Sequence, residues 1–377
     1  MFFDYLKIEQ DFGYQLPSLG EFGFIGVHLD TGETQEFINM PTFEHEGSYC
    51  DKVYIKVNGS RLKMWGNPSR YGRVENLFGI TSIDVCVDVF NKILSQYNLP
   101  PFTKCTRIFY GQSEDGTKAK KYSDGALIKE LHITQNKSVG FGNVEHYLSG
   151  LSTLAYRNSI PNLYTNGQTV DWLNKKGKGT GLIYPSVYNK AYELELHSLT
   201  KIKNKFGEQS QEFKELINVI NFCKENGVAR FELKLKSRYL QRENLNFYGL
   251  SDYSRLKQLS DDFLSIENKL RVTAMDFETI SEALLNSGVV DSVRSANTTA
   301  MYALQWSHGQ VFDLNKRQVQ MHRSRLKKIG IDIAYKCDIS KFSPVRVIST
   351  REVESKPLIM PSWYRAPAHH LTLLKAA

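Results

Sequence analysis

The stretch Ala229–Lys236, ARFELKLK, alternates without a break: Phe231, Leu233 and Leu235 fall on one side, Arg230, Glu232, Lys234 and Lys236 on the other. A period of two with apolar residues on one side only predicts a half-buried β-strand whose second face meets solvent. Other segments follow the same rule. In ALIKELHITQN (Ala126–Asn136), Leu131 and Ile133 oppose Glu130, His132 and Thr134. LIYPSVYNK (Leu182–Lys190), if extended to its last residue, sets Tyr184, Tyr188 and Lys190 on a common side, and its Pro185 suits an edge or a bulge.

Around these strands the period changes. Ser82–Tyr97 has the apolar spacing of an amphipathic helix (Ile83, Val87, Phe90, Ile93, Leu94). Gln211–Asn226 carries Phe213, Leu216, Ile217, Ile220 and Cys223 on one stripe, and Gly227 supplies a stop. Another helix is expected from about Val144, then a polar, Gly- and Asn-rich stretch to Gly181. Residues 22–66 read as short strands: VYIKV (Val53–Val57) alternates, Asn58-Gly59 signals a hairpin, and RLKMW follows it. GNPSRYGRVENLFG (Gly66–Gly79) reads as a polar loop. Leu256–Lys328 is expected to be mostly helical, and the tail with IMPSWYRAPAHH irregular.

With 377 residues, 41% hydrophobic and 23% charged, the composition is that of a globular protein with room for two domains. No apolar run approaches the roughly 20 residues of a membrane helix. The start, MFFDYLKIEQDF, lacks the basic end and apolar run of a secretory signal, so the chain is expected in the cytoplasm. Cys50, Cys86, Cys105, Cys223 and Cys337 are scattered and contain no CxxC pair, which argues against a zinc site and a disulfide framework. A formal net charge of +8 favours an anionic partner, nucleic acid first. The 20 tyrosines and 21 phenylalanines are mostly core by default, though some could stack on unpaired bases.

If the three alternating strands lie side by side, one sheet face gathers Glu130, His132, Tyr188, Lys190, Arg230 and Glu232. These are the parts of a phosphodiester transesterase. A hard divalent cation held by Glu and His polarises the phosphate. A tyrosine attacks phosphorus and conserves the bond energy in a phosphotyrosine. A lysine stabilises the phenolate, whose pKa is otherwise roughly 10, or the charge building on phosphate. Each residue also has an ordinary explanation. Glu232 between two cations is the pattern of a solvated ion-pair face, and periodicity alone does not single out Tyr188 among 20 tyrosines.

Five segments, in order, resemble the replication initiation proteins of filamentous bacteriophages, of the gene II type and the RstA type. They are GNPSRYGRVENLFG (66–79), IKELHIT (128–134), SVYNKAYEL (186–194), VARFELKLKSRYL (228–240) and PSWYRAP (361–367). The third is similar to the family's Tyr-x-Lys-x-x-Glu-Leu segment, whose tyrosine is the nucleophile. The resemblance therefore selects Tyr188 over Tyr184 and Tyr192 and brings Lys190, Glu193 and Glu232 with it. His132 stands where the gene II type has an aspartate; both bind divalent ions. Two ligand sets follow, one with Glu130 and one in which Glu193 and Glu232 supply the carboxylates beside His132.

The resemblance implies an α/β (α+β) fold: an antiparallel-sheet nuclease core, related to the His-hydrophobic-His nicking enzymes, with a C-terminal helical region. The expected division is 1–255, with the catalytic core at about 105–245, and 256–377. The implied function is rolling-circle initiation at the phage origin with Mg²⁺ or Mn²⁺, helped by a host helicase and polymerase and needing no ATP motif. Asn67, Arg70, Arg73 and Asn76 of the loop, with Arg230 and Lys234, are the candidate DNA contacts; a structural turn explains the loop residues equally well. Two other readings are a DNA-binding regulator without catalysis, and an RNA-binding or structural protein with stacked aromatics on its exposed sheet face.

Overall fold

A computed structural model describes the chain apart from residues 21–22, 35–39, 48, 50, 113–118, 270–276, 308, 336–352, 354 and 366–377. Its strands in chain order are β1 (Phe2–Asp11), β2 (Phe43–Glu46), β3 (Lys52–Asn58), β4 (Arg61–Gly66), β5 (Ile108–Gln112), β6 (Ala119–Ser123), β7 (Leu127–Ser138), β8 (Ile160–Leu163), β9 (Thr169–Leu173), β10 (Ile183–Asn189), β11 (Val228–Lys236) and β12 (Lys356–Pro357). All but β5, β6 and β12 fall on one path, β2-β3-β4-β1-β7-β11-β10-β9-β8, with every neighbouring pair antiparallel. The short β12 adds to the end of β7, and β5 and β6 form a separate hairpin.

The helices are α1 (Ile83–Ser95), α2 (Val144–Leu151), α3 (Lys190–Leu194), α4 (Thr200–Phe206), α5 (Gln211–Asn226), α6 (Ser237–Arg242), α7 (Ser254–Leu264), α8 (Phe277–Asn286), α9 (Val293–Ser307) and α10 (Arg317–Lys328). The fold is of the α+β class. The inward residues of the sheet, among them Leu6, Ile8, Ile55, Met64, Leu131, Ile133, Phe231 and Leu233, meet Val87 and Phe90 of α1, Leu148 of α2 and Phe263 of α7 in one core. Leu77 of the 66–79 loop, Leu194 of α3, Ile202 of α4 and Leu216 and Ile220 of α5 gather with Val228 in a second cluster, so the opposite face of the strands is covered at its Arg230 end and carries its polar side chains beyond that.

The predicted helices at 82–97, 144 onward and 211–226 are present. α5 shows why its ends are legible in the sequence. Ser210 accepts a hydrogen bond from the Phe213 amide at 3.1 Å, and Gly227 closes the helix in the left-handed region at φ 56°. A Cβ at Gly227 would also lie 1.9 Å from the Gly140 carbonyl, so glycine is required twice over.

The sheet is wider than the alternation suggests. β1, between β4 and β7, is a strand that the N-terminal segment does not advertise: its pairing with β7 shifts register between Phe3 and Tyr5 and again between Lys7 and Ile8. Bulges of that kind interrupt a clean period of two. The Gly- and Asn-rich stretch before Gly181 holds the β8–β9 hairpin, whose Pro161 sits on the edge strand, where a missing amide is tolerated.

α7 buries Leu256, Leu259 and Phe263 in the sheet's core, whereas Leu284, Ala296, Ala300, Leu326 and Ile331 form a separate cluster among α8, α9 and α10. No helix among the described residues is long and apolar enough to cross a membrane. Cys86, Cys105 and Cys223 are buried free thiols; Cys50 and Cys337 lie outside the described residues.

Candidate active site

β7, β11 and β10 are neighbours, and their registers align the polar face into rows. One row is Tyr5, His132, Lys234 and Tyr184; the next is Thr134, Glu232, Ser186 and Asp171; a third is Asn136, Arg230, Tyr188 and Thr169. The strands therefore bring together Glu130, His132, Glu232, Arg230 and Tyr188. The side chains then divide into an outer and an inner cluster.

The outer cluster is built on the imidazole of His132. Nδ1 lies 2.7 Å from Glu232 Oε1 and Nε2 lies 2.9 Å from Glu130 Oε1, while the Tyr5 ring stacks on the imidazole with centroids 4.5 Å apart. Lys236 pairs with the same Glu130. Burial disfavours charge on the His132 ring, but the hydrogen bonds to Glu130 and Glu232 outweigh it and raise its pKa. Burial likewise opposes charge on both carboxylates, yet His132 and a lysine beside each hold Glu130 and Glu232 down at about 2. Beside Glu232, the Thr134 hydroxyl is buried without a partner among the described residues.

Tyr188 stands on β10 opposite Arg230, one row from Glu232. Its ring is half-buried, and its hydroxyl has no hydrogen-bond partner among the described residues. The neighbouring tyrosines are engaged: Tyr184 donates to Asp171, and Tyr192 meets Asn166 Nδ2 at 3.5 Å. Burial and the charge of Glu232 push the Tyr188 phenol well above its ordinary value, and Arg230, directly across the strand pair, opposes them.

The inner cluster is saturated. Arg230 is fully buried and donates to Asn136 Oδ1 at 2.9 Å and to the Asn76 and Leu77 carbonyls at 2.8 Å, with Asp4 3.3 Å away. Asp4 also accepts from Asn67 Nδ2 at 2.7 Å and from Asn76. Lys190 is buried and donates to Asn76 Oδ1 at 2.8 Å and Glu193 Oε2 at 2.5 Å. Its pKa is lowered by burial and then by Arg230, against the pull of Glu193.

Several expectations change here. β10 ends at Asn189, whose side chain accepts from the Ala191 and Tyr192 amides, so Lys190 opens α3 and leaves the strand face that an extended segment would have given it. Glu193 pairs with Lys190 instead of joining His132. The loop Gly66–Gly79 is an anchor: Asn67, Asn76 and Arg73 are bound internally, Arg73 to Glu75 at 3.0 Å, and Arg70 reaches Ser198 Oγ at 3.0 Å. Arg230, fully buried, offers no free donor to a phosphate; Lys234, 3.8 Å from Glu232, is partly open to solvent. The tail closes over the same loop. The Tyr364 hydroxyl accepts from the Phe78 amide at 3.0 Å, and Arg73 lies 4.9 Å from the Tyr364 ring while donating to the Arg365 carbonyl at 2.5 Å. Ala366 and Pro367 of PSWYRAP lie outside the described residues.

Sequence reasoning misses Asp4, Tyr5 and Asp171. Asp4 and Tyr5 lie on the unadvertised strand β1; Asp171, buried on β9, accepts from Tyr184 and from Tyr164 at 3.1 Å.

Among the described residues no group of three or more His, Cys, Asp or Glu side chains is arranged to hold a metal ion. The donor chemistry nonetheless suits a hard cation. His132 Nε2 and Glu130 Oε1 are 2.9 Å apart, close to the roughly 3 Å between adjacent ligands of an octahedral ion with bonds of about 2.1 Å. Mg²⁺ commonly takes one or two protein donors and completes its shell with water and phosphate oxygens. In such a site Glu232 is the carboxylate that accepts from Nδ1 and orients the ring.

The fold and site thus define an α+β protein whose sheet face presents an uncommitted tyrosine hydroxyl opposite a buried arginine and within the field of Glu232, the carboxylate that holds the imidazole of His132. The model of the family described as the C-terminal part of the gene II replication-associated protein matches residues 284–370. The gene II replication-associated protein of Escherichia phage If1 is 61% identical over 317 residues, covering 84% of this chain and 98% of that protein. No solved structure matches. The chain belongs to the gene II family of filamentous-phage replication-associated proteins.

Proposed function

We propose that this protein initiates rolling-circle replication of a filamentous phage by nicking the viral strand at the origin, with Tyr188 as nucleophile. The observation that carries the reading is the Tyr188 hydroxyl, uncommitted among the described residues and within the field of Glu232, the end of the Glu130–His132–Glu232 chain. The phenolic oxygen forms a bond to phosphorus as the bond from phosphorus to the 3′ oxygen breaks. The phenolic proton passes to a base or to solvent, and the departing oxygen becomes a 3′ hydroxyl that a host polymerase extends behind a host helicase. The same exchange run backwards closes the displaced strand into a circle. No nucleotide is hydrolysed, because the phosphotyrosine keeps the energy of the broken bond.

Within this reading the site is of the His-hydrophobic-His nicking class and works in the cytoplasm of the bacterial host. The raised pKa of Tyr188 means that the protein alone does not supply a phenolate. Mg²⁺ or Mn²⁺ at His132 and Glu130 would neutralise charge on the phosphate and favour the ionised phenol. Arg230 holds its place opposite Tyr188 and lowers the cost of that ionisation. Asp4, Asn76 and Lys190 act behind it as positioning residues.

A second reading, a DNA-binding regulator of replication or copy number, draws on the absence of a three-ligand metal group among the described residues. One experiment separates the two. Purified protein is incubated with supercoiled replicative-form DNA in Mg²⁺ or EDTA, and wild type is compared with Tyr188→Phe. Metal-dependent nicks and a covalent protein–DNA adduct, both lost in the variant, are expected. Binding with strong salt dependence but no nick from either protein would establish the regulator, and undiminished nicking by Tyr188→Phe would remove Tyr188 as nucleophile.

A further inference from the structure

The polar face of the sheet extends past the site onto β1, β4 and β3, and there its character changes. Tyr54, Trp65, Lys7, Glu130 and Lys236 form one continuous cross-strand row, so the neighbouring half of the face is in register with the outer cluster. Tyr54 and Trp65 are stacked, with centroids 5.6 Å apart and planes within 18°. Lys7 Nζ lies 5.1 Å from the Trp65 ring, and Tyr5 lies on His132 in the adjacent row. All four residues are half-buried, and Leu6, Ile8, Val53, Ile55 and Met64, which alternate with them, face the core. The cations around them are unequally engaged: Lys63 pairs with Glu9 at 2.7 Å, whereas no ion pair of Lys7 or Lys56 is formed among the described residues.

Cross-strand aromatic pairs stabilise antiparallel sheets, and that alone would account for Tyr54 and Trp65. It does not account for their position. A large aromatic pair on the solvent side of a sheet, with a lysine over one ring, is the arrangement that stacks an unpaired base and neutralises its phosphate. β4 is four strands from β10, about 19 Å at a spacing near 4.8 Å. The Glu130 row lies six residues along β7 from the Asn136 row that holds Tyr188, about 20 Å more in the perpendicular direction, so the two are on the order of 28 Å apart. That distance suits bases several nucleotides from a phosphate held at Tyr188.

We infer that Tyr54, Trp65 and Lys7 form a stacking platform for single-stranded DNA several nucleotides from the scissile phosphate, occupied by unpaired bases of the strand being cut or closed. The inference rests on the nicking function proposed above for the substrate it names, but binding can be measured without chemistry. Duplex DNA gains nothing from the platform, since paired bases present no free ring face.

The test uses the full chain in EDTA with fluorescein-labelled (dT)12 and with a duplex of equal length, followed by anisotropy. Tyr54→Thr with Trp65→Thr keeps strand-compatible residues and removes both rings. Its affinity for the single strand is expected to fall on the order of tenfold or more, with duplex affinity and the salt slope of single-strand binding unchanged. Lys7→Met, by contrast, should flatten that slope by about 0.7, the share of one phosphate contact. Unchanged single-strand affinity in the double variant overturns the platform, and so does an equal loss on duplex. If the double variant fails to fold, Trp65→Phe answers instead: oligonucleotide quenching of tryptophan emission should be smaller than in wild type, and undiminished quenching overturns the proposal. Nicking is scored separately through the Tyr188 adduct, so either idea can fail while the other stands.

Discussion

Two charged clusters occupy one face of the same strands, and they differ in how completely their bonding capacity is used. Around Arg230, the buried guanidinium, Asp4, Asn76 and Lys190 bond one another, and the guanidinium keeps no free donor among the described residues. Around His132, a hydroxyl on Thr134 has no partner among the described residues, and the Tyr188 phenol is likewise uncommitted. Charge density alone would rank the two alike. Unused valence separates them, and under the proposed function it is the outer cluster that would receive the phosphate and its cation.

The comparison can be broken first at Arg230. Arg230→Met leaves Asp4 and two backbone carbonyls without their cation, so unfolding free energy should fall by about 3–5 kcal/mol, read from urea midpoints. A loss below about 1 kcal/mol would show the inner cluster to be less structural than its bonds suggest. Glu232→Gln should fall harder on chemistry: nicking reduced about 100-fold, equivalent to about 2.7 kcal/mol in the barrier, with a urea-midpoint loss smaller than that of Arg230→Met because the Gln carbonyl can still accept from His132. Equal damage to stability and rate would erase the distinction between the clusters.

Smaller effects sharpen it. Thr134→Val removes a buried hydroxyl that has no partner, so thermal stability should be unchanged or higher by about 1 kcal/mol. A loss would mean that the hydroxyl binds a water or ion essential to the fold. Asn189→Ala deletes the cap that turns β10 into α3 and should lower stability by about 1 kcal/mol, with Lys190 and Glu193 losing their fixed geometry. The smallest effect belongs to a pair far from both clusters, Arg323 and Asp332, 2.6 Å apart in the C-terminal helical cluster. Burial alone would raise the Asp332 pKa, but Arg323 and the Ala334 amide bring it below its ordinary value. Its stabilisation is therefore present above the usual carboxylate range and lost as pH falls through the lowered value. Partial exposure keeps it under about 1 kcal/mol. Melting curves between neutral and acid pH should converge for wild type and Asp332→Asn at the acid end.

The strands that carry the site are legible because β7 and β11 alternate with long apolar runs on one side, as Leu131, Ile133, Phe231, Leu233 and Leu235 do. That Tyr188 outranks Tyr184 comes from resemblance to a family, and period alone does not supply it. The inner cluster is illegible for a different reason. Asp4 meets Arg230 across 226 positions, and a lone acid between Phe3 and Tyr5 carries no trace of that partner. Lys190 is misplaced by extending a strand past its cap, although Asn189 is itself the signal. The β8–β9 hairpin escapes because Pro161, Asn162 and Gly167 dominate a stretch with few apolar residues.

The bond between Phe78 and Tyr364 spans 286 positions. At a synthesis rate of about 5–20 residues per second, the loop leaves the ribosome about 15–60 s before the tail that fastens it. During that interval the strands from β5 to β11 are themselves made, while Arg73 and the Phe78 amide wait for their partners. Completion of the anchor behind the tyrosine therefore waits for the segment around Tyr364, made well after every strand that carries the outer cluster.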